Sequence, residues 1–186
     1  MSPARPPDGA TSLLEEQGHR PKGAPSSAAT ERELQDFIVQ EARLIDTRQL
    51  DDWLALFADN GRYWIPLNGA AQSEGDAVNA LADEDRLLLS LRIERLKNPR
   101  AHSQRPPSQC QHVLQTPRLV RADEPTGRYE LLTPFLYVEA QGDRQQLLTG
   151  TLRHRLVRHD GGLRIELKRV DLLNAGEALP AIQLFP

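Results

Sequence analysis

The chain has 186 residues, 39% of them apolar and 26% charged, with a net charge of −3. Those values suit a single soluble globular domain and leave no basic footprint for nucleic acid, no polybasic membrane patch and no apolar run near the roughly 20 residues that span a bilayer. A single Cys excludes an internal disulfide framework and fits a reducing compartment, and the N-terminus lacks the apolar core of a signal peptide, so the expected location is cytoplasmic.

Residues 1–29 are rich in Pro, Gly, Ser and Ala, with Leu13-Leu14 as their one apolar pair. Such a segment buries too little surface to offset its ordering entropy, so a disordered or loosely draped tail is expected, followed by one domain over 30–186. Thr30-Glu31-Arg32-Glu33 reads as a capping box. Leu34, Phe37, Ile38, Glu41, Ala42 and Ile45 follow at helical spacing, with Glu41 alone interrupting the apolar face. Asp46 or Thr47 then caps a second helix, on which Leu50, Trp53, Leu54 and Phe57 share a face. Asp59-Asn60-Gly61 is expected to end that helix, and Arg62 to Pro66 to open a strand.

Residues 67–83 read as a loop, with room for a short strand or a turn of helix. A third helix follows over EDRLLLSLRIERLK, with Leu89, Ile93 and Leu96 on one face, Leu88 and Leu91 widening it, and Asn98-Pro99 ending it. From Gln109 the period changes. Apolar-rich runs at 110–121, 128–140, 146–158 and 163–173 are separated by turn residues, as in successive antiparallel hairpins. The predicted class is α+β, with N-terminal helices packed on one face of a curved sheet. Both faces of 128–140 are apolar: Leu132, Pro134, Leu136, Val138 and Ala140 on one, Tyr129, Leu131, Thr133, Phe135 and Tyr137 on the other. Helices cover only one face, so another subunit is expected on the second, unless the sheet curls onto its own core. Pro117 and Pro134 fall roughly opposite each other and predict a sharp bend.

The chemistry-bearing residues are scattered. Cys110 and His112 share a strand face, but two soft ligands do not complete a zinc site, and His102 lies on a neighbouring loop. His154 sits on an apolar face, as a satisfied core residue or an interface contact does. His19 and His159 show no evident role. The sharper pair is Asp46 with His112, which can meet inside a cone-shaped fold and act as acid and base with Tyr63 as a polar handle. The plainer alternative is that Asp46 caps a helix and His112 bonds a backbone carbonyl. Arg153, Arg155, Arg158, Arg164, Lys168 and Arg169 run along two adjacent strands with Glu166 and Asp171 interleaved, as ion pairs within or between subunits do.

Four segments, in order, carry a family resemblance: EARLIDTRQLDDWLALFADNGRYWIP at 41–66, LRIERL at 91–96, PPSQCQHVL at 106–114, and LRHRLVRHDGGLRIELKRVDLLNAGEALPAIQLFP at 152–186. Together they resemble the small (beta) subunit of aromatic-ring-hydroxylating dioxygenases, the Rieske non-haem iron oxygenases. The resemblance implies a nuclear transport factor 2-like cone that trimerises and packs on a trimer of large (alpha) subunits as an α3β3 hexamer. It places the Rieske [2Fe-2S] cluster and the mononuclear iron in the large subunit, with a reductase and often a ferredoxin delivering electrons from a nicotinamide cofactor. The complex would convert aromatic rings to cis-dihydrodiols, and this chain would hold no cofactor or metal of its own.

Under that reading, no catalytic residue is expected here. Trp53, Phe57, Tyr63 and Trp64 are expected to anchor helix to sheet, and Phe135, Tyr137, Arg153, Arg155, Lys168 and Arg169 to face a partner. The rival readings are a stand-alone dehydratase or isomerase using Asp46 and His112, and a small-molecule binding module with an apolar cone.

Overall fold

The computed structural model describes residues 29–76, 79–98, 100 and 105–186. The expectations for the tail before Ala29, and for His19, Pro99 and His102, lie outside them. The elements run α1 (Glu31–Asp46), α2 (Leu50–Ala55), β1 (Phe57–Pro66), a 3-10 turn (Gly69–Ala71), β2 (Ala80–Asp85), α3 (Arg86–Lys97), β3 (Gln109–Leu114), β4 (Arg118–Asp123), a second 3-10 turn (Glu124–Thr126), β5 (Arg128–Gln141), β6 (Arg144–His159) and β7 (Gly162–Leu172). The strands form one mixed sheet in the order β2-β1-β7-β6-β5-β3, with β4 also paired to β5. Helices pack on its inner face.

Helix α1 starts where the sequence says. Thr30 caps it by accepting from the Glu33 amide at 3.1 Å. The reciprocal half of the capping box does not form, because both Glu33 oxygens receive Arg158 Nη2 at 2.8 Å. The corner to α2 is made by Arg48 at φ 58°. Asp46 and Thr47 close α1 rather than open α2, whose N-cap Gln49 makes no side-chain capping bond.

Helix α2 is shorter than its apolar spacing suggests. It ends at Ala55, and Phe57 is the first residue of β1. Asp59-Asn60-Gly61 ends no helix. It forms an irregularity within β1, since Phe57 pairs with Ile165 but Arg62 with Leu167. The residues that favour turns also favour strand bulges. A Cβ on Gly61 would lie 2.8 Å from the Ile165 carbonyl oxygen, so this close approach requires Gly.

The β1–β7 pair is parallel and every other pair antiparallel, so the hairpins join a sheet whose centre is not a meander. The run 110–121 divides into β3 and β4 around residues 115–117. Leu114 pairs with Phe135 and Arg118 with Leu132, so the break faces Pro134, whose carbonyl accepts from the Gln115 amide at 3.0 Å. Pro117 and Pro134 thus both sit at this break between β3 and β4.

In α3, Leu89, Ile93 and Leu96 are buried as expected. Leu88 and Leu91 are 47% and 59% exposed and do not widen that face. The core lies between the helices and the inner sheet face, where Tyr129, Leu131, Phe135 and Tyr137 of β5 meet Leu148, Leu152 and Leu156 of β6. Residues 183–186 close it: Phe185 packs 4.4 Å from Trp53 and beneath the Arg92 guanidinium. Glu139 fixes this strap by accepting the Gln183 and Leu184 amides.

Candidate functional site

Asp46 and His112 meet. The last residue of α1 and the fourth of β3 bring Asp46 Oδ1 to 2.7 Å from His112 Nδ1. The same carboxylate accepts the His112 backbone amide at 3.0 and 3.1 Å and the Gln111 side-chain amide at 2.9 Å. Both oxygens are thereby engaged. Asp46 is not an N-cap, and His112 bonds a carboxylate rather than a backbone carbonyl. The cluster clips α1 to the sheet near its β3 edge.

The surroundings do not favour acid–base chemistry. The His112 ring packs against Tyr137, with centroids 4.9 Å apart, and Tyr137 donates to Glu139 Oε2 at 2.8 Å. Tyr63, the expected polar handle, donates to the Pro186 carbonyl oxygen at 3.3 Å. Burial raises both phenols well above their ordinary range. Two clefts, of ≈220 and ≈670 Å³, open near the β6–β7 hairpin; charged residues such as Arg128 and Glu166 line them, and neither Asp46 nor His112 does.

Asp46, Cys110 and His112 place ligand-capable atoms within 4.8 Å of one another. Burial, reinforced by the Asp46 charge, pushes the Cys110 thiol up to about 12. A structural zinc takes four donors, and this set offers three. The Asp46 carboxylate is already engaged by His112 and Gln111, while His112 Nε2 is buried with no hydrogen-bond partner among the described residues.

A second polar cluster lies in the core. Glu41 of α1 is fully buried, and its Oε1 accepts Lys168 Nζ of β7 at 2.9 Å and Trp53 Nε1 of α2 at 2.5 Å. Burial alone raises the Glu41 carboxyl, but the Lys168 ammonium and His154 outweigh it and hold it well below the usual carboxylate range. The sequence signal was the lone Glu on an apolar helical face. What it could not supply was the partner, because Lys168 reads as one of a row of strand cations.

The structure corrects most of the partner-facing set. Phe135, Tyr137 and Lys168 are buried inside the cone. Arg169 is on the outer face but covered: it stacks on Trp64 at 4.4 Å and donates to the Gly69 and Gln72 carbonyls. Arg153 and Arg155 remain part-exposed on that face, paired with Glu130 and Glu74. Trp53, Phe57 and Tyr63 are core residues, with Trp53 edge-on to both rings at 5.1 and 6.0 Å. Trp64 is buried on the opposite face, between Arg62 and Arg169.

Residues 40–176 match the family model described as the ring hydroxylating beta subunit. The chain belongs to that family. This beta subunit is 32% identical over 142 residues to the small oxygenase component of the p-cumate 2,3-dioxygenase system of Pseudomonas putida, covering 75% of this chain and 77% of the relative. The solved beta subunit of benzoate 1,2-dioxygenase from Burkholderia mallei superposes with a TM-score of 0.65 at 21% identity, covering 80% of this chain and 93% of that one. An NTF2-like protein with a cystatin-like fold from Novosphingobium aromaticivorans superposes at 0.54 and 13% identity, covering 77% and 81%. The beta subunit therefore has the nuclear transport factor 2-like fold, and no helix among its described residues is long and apolar enough to cross a membrane.

Proposed function

We propose that this beta subunit is a non-catalytic structural component of a cytoplasmic aromatic-ring-hydroxylating dioxygenase, trimerising and bracing an iron-containing large subunit. The observation that carries the reading is the outer face of β3, β5 and β6, which the other described residues leave exposed. Val113, Leu136 and Leu147 are exposed there by 56%, 44% and 62%. Val113 pairs with Leu136, and Leu147 with the part-buried Val138, so they form one patch. Arg153 and Arg155 lie further along the same face. Apolar patches of this kind mark protein contacts.

The Rieske cluster and the mononuclear iron belong to the large subunit on this reading. A Rieske centre takes two Cys and two His, and this chain has one Cys. Electrons would come through a reductase, with or without a ferredoxin, and the assembly would be an α3β3 hexamer. The substrate would be an aromatic ring compound, as the names of the relatives suggest, chosen by the large subunit.

The test is expression of the chain with and without a large oxygenase subunit from the same source, recording mass by light scattering and iron content. The expected result is a hexamer-sized, iron-containing complex only when both are present. An iron-free small oligomer that ignores the large subunit would overturn the proposal.

A further inference from the structure

The core cluster around Glu41 is incompletely bonded. Glu41 Oε2 and both ring nitrogens of His154 are buried with no hydrogen-bond partner among the described residues. His154 Nε2 stands 3.7 Å from Glu41 Oε2, an ion-pair separation and too long for a hydrogen bond. His154 pairs in register with Lys168 on β7 and with Leu131 on β5, so imidazole and ammonium share the inner face. Glu41 reaches both from α1. Among the described residues His112 of β3 also disfavours a proton on His154, and Thr133, two residues along β5 from the Leu131 that pairs with His154, carries an unpartnered hydroxyl. Arg153 and Arg155 flank His154 on β6 but alternate to the outer face.

We propose that Glu41, His154 and Lys168 form an acid-released latch between α1 and the sheet. With His154 neutral, one buried anion balances one buried cation, and the carboxylate holds α1 to β7 and, through Trp53, to α2. A proton on His154 draws Glu41 toward the imidazolium and leaves two cations and one anion in a dry core. The excess charge favours opening of the helical layer to water. The inference is independent of which large subunit the chain binds.

Burial holds the His154 imidazole below its ordinary value of 6.5, and the Glu41 carboxylate pulls it only partly back. The unfolded chain therefore binds the extra proton. The stabilisation is complete above pH 6.5 and is lost as the pH falls from there toward the lowered folded value. Glu41 contributes in the same direction only below its ordinary 4.5, outside the test window.

The experiment is urea unfolding of the full chain at fixed concentration, from about pH 8 to about pH 5.5, for the parent and His154→Gln. The parent's unfolding constant, relative to the variant's, should rise about tenfold per pH unit below the unfolded value until the folded one is reached. A ratio that does not change with pH overturns the latch. If the variant does not fold, ring-nitrogen NMR of the folded parent decides. His154 should stay neutral at the ordinary imidazole value of 6.5, and a His154 that is half-protonated there overturns it.

Discussion

Asp46→Ala separates the clip from a catalytic pair. The substitution removes the acceptor for the His112 backbone amide at 3.0 Å and for His112 Nδ1 at 2.7 Å. Gln111 is exposed and turns to water at little cost. A buried donor left without an acceptor costs about 1–3 kcal/mol, so two cost about 2–6. The Asp46 side chain is 13% exposed, so water can partly reach the gap and the lower half of that range, about 2–4 kcal/mol, is expected. The assay is urea unfolding of the full chain, paired with turnover per iron of the complex formed with the large subunit. Stability should fall while turnover per iron of the assembled fraction stays at the parent value. Parent-like stability with lost turnover would refute the structural reasoning and return the pair to catalysis.

Trp53→Ala should cost about 3–5 kcal/mol in urea unfolding, since the ring is fully buried against Phe57, Tyr63 and Phe185. Lys168→Met strands the Glu41 carboxylate and should cost about 3–5 kcal/mol; adding Glu41→Gln should recover a large part of it, as a double-mutant cycle will show. Leu136→Asp with Leu147→Asp touches exposed side chains, so each change should alter subunit stability by no more than about 0.5 kcal/mol while light scattering reports loss of the assembled species.

Local structure was legible where local chemistry decides it. Thr30 caps α1, and Gly127, Gly142 and Gly161 take the left-handed backbone between the strands they separate. The paired prolines located the break between β3 and β4 because a missing N–H constrains both sides of a ladder. The Asp46–His112 pairing was also readable, as a meeting of helix end and strand. Long-range facts were not. The parallel β1–β7 pair leaves no turn between its strands to announce it. Phe57 fits the helical stripe equally well as a strand residue, and tertiary packing chose the strand. Lys168 and Arg169 are adjacent cations in sequence, yet one points into the core and the other under the 69–72 turn, because neighbouring strand residues face opposite ways. Leu88 and Leu91 satisfy helical spacing but lie on a flank of α3 that the other described residues leave exposed.

The strap that ends the core also sets when the core can exist. Phe185 completes the ring cluster begun by Trp53 and Tyr63, and β7 pairs with β1 rather than with a strand nearby in sequence. A nascent chain that has emerged only as far as β6 lacks both the strand that binds β1 and the side chain that seals the helices. Contacts of such long range form slowly. The cone is therefore completed only after nearly all of its residues have been synthesised, and until then the apolar inner face, with the Glu41 carboxylate lacking Lys168, stays open to water.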